Sequence, residues 1–407
     1  MISKSPNDAR PSAPFDDGAQ QGASAAGHLP ALDGLRGLAI VLVLAHNFAV
    51  VALPPGLIGK LLQVGLDIGW IGVQLFFVLS GFLITRILLQ TQSSPHYFRS
   101  FFGRRVLRIF PLYYGALFVA FFVLPTIGIN PPALAHDREQ QVWLWLYLSN
   151  WSQALGFESH VFPHFWSLAI EEQFYLLWPL LVHRLSTRQV LALSVGIATL
   201  SLGVRCAMLW QGASADSVYT YTVCRMDALA LGAAAAAWLH MPGVAERLFT
   251  RRHLLAGCAL IIWSAAFVAT KGYPRTTPLG QTLGYSVLAL AFAMAVTAAV
   301  FSPAREPASL WERALSARPL RSLGKYSYGM YIFHKPLHDW VGKPLLDHFE
   351  LTLRPSYPIA MGYVVLATLV TLLLGIVSYH LVEKHFLSLK RWFVPGSPSV
   401  LRGVAPR

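Results

Sequence analysis

The chain alternates between long apolar runs and short connections rich in arginine, proline and glycine. A bilayer crossing needs about 20 predominantly apolar residues. Ten stretches reach or approach that length, near 31–53, 68–89, 109–127, 164–183, 190–210, 226–241, 254–270, 279–301, 326–346 and 358–382. The pattern predicts an all-α polytopic membrane protein with about ten transmembrane helices. The sixth run, MDALALGAAAAAWLHM, is short and Ala-rich, so it is expected to pack inside the bundle. The ninth, YSYGMYIFHKPLHDWVGKPLL, is interrupted by polar residues and proline. Between the third and fourth runs, VWLWLYLSNW has the Trp and Tyr content of an interfacial helix.

The ends read differently. Residues 1–28 are polar and rich in Ala, Ser, Gly, Pro and Asp, the composition of a disordered cytoplasmic tail. They are not a signal peptide, because no charged start leads directly into an apolar core. A transmembrane domain is expected over 29–386, and 387–407 should form a second disordered cytoplasmic tail.

Charge fixes an orientation. The connections at 86–108, 184–189, 242–253 and 302–325, with the segment after 383, collect 20 Lys and Arg; the opposite connections hold seven. That bias places both termini in the cytoplasm. It also accounts for the net charge of +13 without a nucleic-acid partner. With 55% hydrophobic residues, 13% charged ones and a mean hydropathy of +0.50, the chain is unlike a soluble domain, which carries about twice that charge. Cys206, Cys224 and Cys258 have no metal-ligand spacing.

Within the apolar runs a few ionisable residues stand out, and such residues are costly in hydrocarbon and tend to mark function. In HFWSLAIEEQFYLLWPLL, helical spacing puts His164, Ser167, Glu171 and Tyr175 on one face, with Glu172 on the neighbouring stripe. In LDGLRGLAIVLVLAHNF, Arg36 lies near the inner surface and His46 about 15 Å further in. His334 is expected at a similar depth, and Arg225 and Asp227 stand at the outer start of the sixth span, where they could pair. The carboxylates could instead be structural partners of Arg225 or Arg205, since buried charges must pair. On the inner side, HYFRSFFGRRVLRIFPLYY mixes Arg99, Arg104, Arg105 and Arg108 with aromatic residues. Arginine forks bind phosphate well, which suits a nucleotide-bearing donor; ordinary anchoring or anionic lipid head groups would use the same charges.

Taken in order, the motifs LDGLRGLAIVLVLAH, GVQLFFVLSGFLIT, FGRRVLRIFPLYY, FWSLAIEEQFYLLWPLL, RMDALALG, SYGMYIFHKPL and SYHLVEKHF cover the chain from about Leu29 to Phe386. On these motifs the chain resembles the acyltransferase-3 family, the membrane acetylases of O-antigens, exopolysaccharides, Nod factors and some antibiotics. The resemblance implies ten membrane helices in a bacterial inner membrane and O-acyl transfer, usually acetyl, from cytoplasmic acyl-coenzyme A to a sugar hydroxyl. It implies that Arg36 and His46 are essential and that Arg104, Arg105 and Arg108 act with the donor. One departure is visible. The family usually places ten residues between the Arg and the His; here nine intervene, which turns His46 about 80° from Arg36 and puts Asn47 in the usual position. Some family members also carry a fused periplasmic esterase-like domain; any such partner of this chain would be a separate protein.

The mechanism expected from these residues makes His46 the general base, since an imidazole titrates near working pH. Glu171 or Glu172 would orient His46 or the acceptor; Arg225, Asp227, His334 and Ser167 would bind substrate or shape the site. No metal is expected, because a thioester is already activated. The expected partners are acyl-coenzyme A, a carbohydrate or lipid-linked saccharide acceptor and membrane lipids. Two rivals remain at this stage: a transporter with a polar pathway, and an acyl-group translocator that supplies a partner transferase. Acceptors such as macrolides are also open.

Overall fold

In hydrocarbon a helix satisfies its own backbone, so apolar runs of this length have little other choice. The computed structural model describes residues 29–301 and 309–393; they include helices and no strand. The expected tail at 1–28 and the part of the expected 387–407 tail beyond 393 lie outside the described residues; over 387–393 the chain is in helical turns rather than irregular.

Among the described residues, ten helices have 16 residues or more: α1 (Pro30–Asn47), α2 (Ile71–Gln90), α3 (Tyr97–Phe118), α4 (Phe165–Arg184), α5 (Thr187–Trp210), α6 (Thr222–His240), α7 (Arg252–Ala269), α8 (Tyr285–Val300), α9 (Arg318–Leu337) and α10 (Tyr357–Ser378). Seven helical segments among the described residues are long and apolar enough to cross a membrane; they contain α2, α3, α5, α6, α7, α8 and α10. The other three expected spans fall on α1, α4 and α9. These helices carry Arg36, His46, Glu171, Glu172 and His334, which lowers their apolar character.

α1 packs against α9 and α2, and α6 packs against α2, α5 and α8. As expected, the Ala-rich α6 is interior: Ala228, Leu229, Ala230, Ala233 and Ala237 are fully buried. Small residues let backbones approach, the usual solution where no hydrophobic force drives helices together in lipid. Gly81 of α2 and Gly232 of α6 face each other's helix so closely that a Cβ on either would fall within 3.0 Å of the opposing backbone, at Leu229 and Val78 respectively.

Three boundaries differ from the apolar pattern. α3 starts at Tyr97 instead of near 109, because the arginine segment is itself helical and buries Phe101, Ile109 and Leu112 on one side. α9 is not ended by Pro336. It passes directly into a π-helical turn, His338–Gly342, and then into Lys343–His348. A proline removes one backbone hydrogen bond, and a widened turn is a common way to absorb it. The interfacial helix expected at VWLWLYLSNW is two short helices, Val142–Trp145 and Ser149–Ala154, separated by Tyr147 in the left-handed region at φ 53°.

Candidate active site

α1 ends at Asn47, so His46 occupies its last turn and stands at the end of the bundle where α4 begins and α9 finishes. There it lines a cavity of about 410 Å³. His164, one residue before α4, and His334, in the last turn of α9, line the same cavity. The apolar wall is Trp70, Trp166 and Tyr331; the polar side includes Glu158, Arg275, Lys335 and Asp339. Three imidazoles from three helices therefore open onto one space. The sequence places His164 only on a helical face with Ser167, Glu171 and Tyr175, and the cavity adds it to the site.

Their protonation follows from their neighbours. His46 Nδ1 lies 3.1 Å from the Leu66 carbonyl oxygen, and His334 Nδ1 lies 2.7 Å from that of Tyr331. A carbonyl only accepts, so each Nδ1 carries the proton and donates it, leaving Nε2 as the basic nitrogen. His334 Nε2 is buried without a protein partner, as are both ring nitrogens of His164. The rings of His164 and His334 meet at 4.6 Å between centroids, at a 68° tilt. Ser167 fixes this corner: its hydroxyl lies 2.5 Å from the Tyr331 hydroxyl, which donates to the His164 carbonyl at 3.1 Å. Buried ring nitrogens without a protein partner thus sit in the wall of a space with room for a ligand.

The nine-residue gap between Arg36 and His46 does not remove His46 from the cavity. His46 and Asn47 both line it. The Asn47 side chain donates to the Val43 carbonyl at 2.8 Å, closing back on its own helix. The imidazole is the group that is available for chemistry.

Glu171 and Glu172 lie elsewhere. Neither lines the cavity. About 10 Å along α4 from His164, Glu171 accepts a 2.5 Å hydrogen bond from Ser80 of α2, and Tyr175 donates to the same Ser80 hydroxyl at 3.0 Å. Arg105 stands over the Tyr175 ring at 4.9 Å and acts electrostatically on both glutamates. Arg36, paired with Asp33 at 3.5 Å, acts on Glu171 as well. Arg104, Arg105, Arg108 and Arg36 all act on Lys390, which follows the last long helix. A layer of partly buried arginines and carboxylates is therefore stacked below the imidazole cavity, and Arg36 and His46 connect the two along one helix.

Arg225 and Asp227 do not pair with each other. Asp227 is bound by Arg205 of α5 at 2.8 Å, with Ser286 of α8 donating to the same carboxylate oxygen at 3.0 Å. All of Arg205 and Asp227 is buried. The ion pair joins α5, α6 and α8, and Arg205 also donates to the Cys224 carbonyl. Arg225 instead donates to Gln74 at 2.7 Å and is enclosed by the rings of Trp70, Phe77, Trp166, Tyr219 and Tyr285, at 4.6 to 6.0 Å. Three of those rings line the cavity, so Arg225 supports its wall from behind. A sequence reading missed this because α5 and α8 supply the partners from distant segments.

One group among the described residues has donors close enough together for a metal ion: His136, Asp137 and His160, outside the bundle helices.

A sequence family described as an acyltransferase domain matches residues 29–380. The O-acetyltransferase OatA of Staphylococcus aureus is 27% identical over 385 residues, covering 88% of this chain and 57% of that protein. The peptidoglycan O-acetyltransferase OatA of Listeria monocytogenes is 30% identical over 329 residues, 76% of this chain and 49% of that protein. The chain spans about half the length of the curated relatives it matches. No solved structure matches.

Proposed function

Because the chain belongs to the acyltransferase-3 family, we propose that it is a multi-pass enzyme of a bacterial inner membrane that moves an acyl group from cytoplasmic acyl-coenzyme A to a hydroxyl of a cell-surface or exported carbohydrate. Acetyl is the acyl group in the names of the relatives. All ten long helices cross the bilayer in this reading, with both termini and the arginine layer inside and the imidazole cavity facing out. The observation that carries it is the cavity itself: a space of about 410 Å³ lined by His46, His164 and His334, two of them with Nδ1 tied to backbone and Nε2 basic.

The donor's phosphates would bind Arg104, Arg105 and Arg108, with Arg36 nearby, since guanidinium forks match phosphate geometry. Its thioester would then reach along α1, about 15 Å from the level of Arg36 to that of His46. In the cavity the acceptor hydroxyl gives its proton to His46 Nε2 as its oxygen attacks the thioester carbonyl. The carbon–oxygen bond forms, the carbon–sulfur bond breaks, and the imidazolium returns its proton to the departing thiolate. Glu171 and Glu172 hold the arginine layer in place instead of touching the acceptor.

A second reading hands the acyl group to a separate transferase on the outer side. It is favoured by the relatives' length, about half of which lies outside the match. Reconstitution in liposomes with labelled acetyl-coenzyme A separates the two. Label appearing on a peptidoglycan-derived or other glycan hydroxyl without a second protein supports direct transfer. Label retained on the chain until a partner is added supports the relay, and movement of unmodified glycan without acetyl-coenzyme A contradicts both.

A further inference from the structure

We infer that His136, Asp137 and His160 form a binding site for a divalent transition-metal ion, zinc in the first instance, at the rim of the cavity. The sequence does not announce it. His136 and Asp137 are adjacent, His160 follows 23 residues after Asp137, and no familiar ligand spacing links them. The fold supplies the proximity. His136 and Asp137 sit on the short helix Pro132–Arg138, and His160 lies in the turn before α4.

Three features fit a metal better than a simple polar cluster. The ligating atoms of all three residues lie within 4.8 Å of one another, and the two imidazoles are in contact at 4.2 Å between centroids. Two neutral imidazoles and a carboxylate are the donor set zinc takes, with water completing the shell. The carboxylate is also preset. Asp137 is buried; its Oδ2 accepts from Ser159 Oγ at 2.6 Å and from Val161 N at 2.8 Å, which uses both lone pairs on that atom. Its Oδ1 accepts only the His160 backbone N–H, at 2.9 Å, and keeps one lone pair. That same Oδ1 is 3.5 Å from His160 Nδ1. The separation is long for a hydrogen bond and close to the roughly 3.3 Å between two ligands of a tetrahedral zinc at about 2.0 Å bonds. The backbone and hydroxyl contacts to Asp137 are the kind of outer-shell support that orients a ligand.

The location gives the ion a role in the molecule. Ser159 and His160 line the cavity, while Asp137 belongs to the segment between α3 and α4. A bound ion would tie that segment to the cavity rim on the side where Glu158 and Arg275 also stand.

The test uses the full chain purified in detergent, stripped with a chelator and titrated with Zn²⁺, with Co²⁺ as a spectroscopic probe. One equivalent of Zn²⁺ should bind, and Co²⁺ should give the absorption of a low-coordinate nitrogen and oxygen site. His160→Ala and His136→Ala should each weaken binding by roughly tenfold or more. His253→Ala, an exposed histidine at a distance, should leave it unchanged. His136 and His160 are exposed, so their variants should elute and melt like the parent; Asp137 holds the turn and is the less suitable position to change. Binding that is substoichiometric, or equal in the parent and in the His136→Ala/His160→Ala double variant, overturns the site.

Discussion

The imidazole cavity and the arginine–carboxylate layer share α1, α2 and α4 and behave as opposites. In the cavity wall, both ring nitrogens of His164 and Nε2 of His334 are buried and meet no protein partner. In the layer, Glu171 is held by Ser80, Tyr175 binds the same hydroxyl, and Arg105 covers the Tyr175 ring. Unsatisfied nitrogens beside a void suit a group that must exchange protons with a visiting molecule. Carboxylates among arginines, one of them bound by Ser80, suit groups that hold their neighbours still and leave guanidinium positive charge for an anionic ligand. In the proposed function, chemistry falls at one end and donor binding at the other.

The comparison is most easily broken at His46. Replacing it with alanine should lower acyl transfer by about 10²- to 10⁴-fold, the usual contribution of a general base, with the affinity for acyl-coenzyme A unchanged. Rate and equilibrium binding on the same reconstituted sample check both halves. Next in size is a change that should touch neither end directly. Asp227→Ala leaves Arg205 charged and buried, and should destabilise the bundle by about 3–5 kcal/mol in detergent unfolding. Exchanging both partners for apolar residues of similar volume should recover most of that loss.

In the charged layer, Arg105→Gln should raise the KM for acyl-coenzyme A by about 10- to 100-fold, as expected for losing a charge-assisted hydrogen bond, and should change kcat little. A large fall in kcat at saturating donor would merge the two regions into one catalytic site. The smallest effect belongs to Glu171→Gln. It weakens the acceptor for Ser80 without emptying the space, and should shift donor KM by less than tenfold, about 1 kcal/mol. Ser80→Ala should have a similar effect and should not add to it in the double variant, because both remove the same contact.

Most of the helical framework was legible in the chain. Apolar runs of bilayer length became the long helices, and the Ala-rich sixth run went inside. Boundaries were harder where polarity and helicity separate. The arginine segment before Ile109 is helical because it buries a narrow apolar face, which a search for continuous apolar runs does not find. His46 and His334 could be nominated from sequence because each interrupts an apolar stretch. His164 was harder to weigh, since it precedes the helix proper and gains meaning only beside His334. The partners of Arg225 and Asp227 were out of reach for the same reason: Gln74, Arg205 and Ser286 come from three other helices, and spacing along one helix carries no information about them.

The division of labour between the two ends is tested most directly by one paired measurement on reconstituted protein: equilibrium binding of labelled acetyl-coenzyme A and single-turnover transfer, for His46→Ala and Arg105→Gln side by side. The account predicts that His46→Ala binds donor like the parent and transfers almost nothing, while Arg105→Gln binds weakly and transfers normally once saturated. His46→Ala transferring at the parental rate, or Arg105→Gln binding donor with parental affinity, would contradict it.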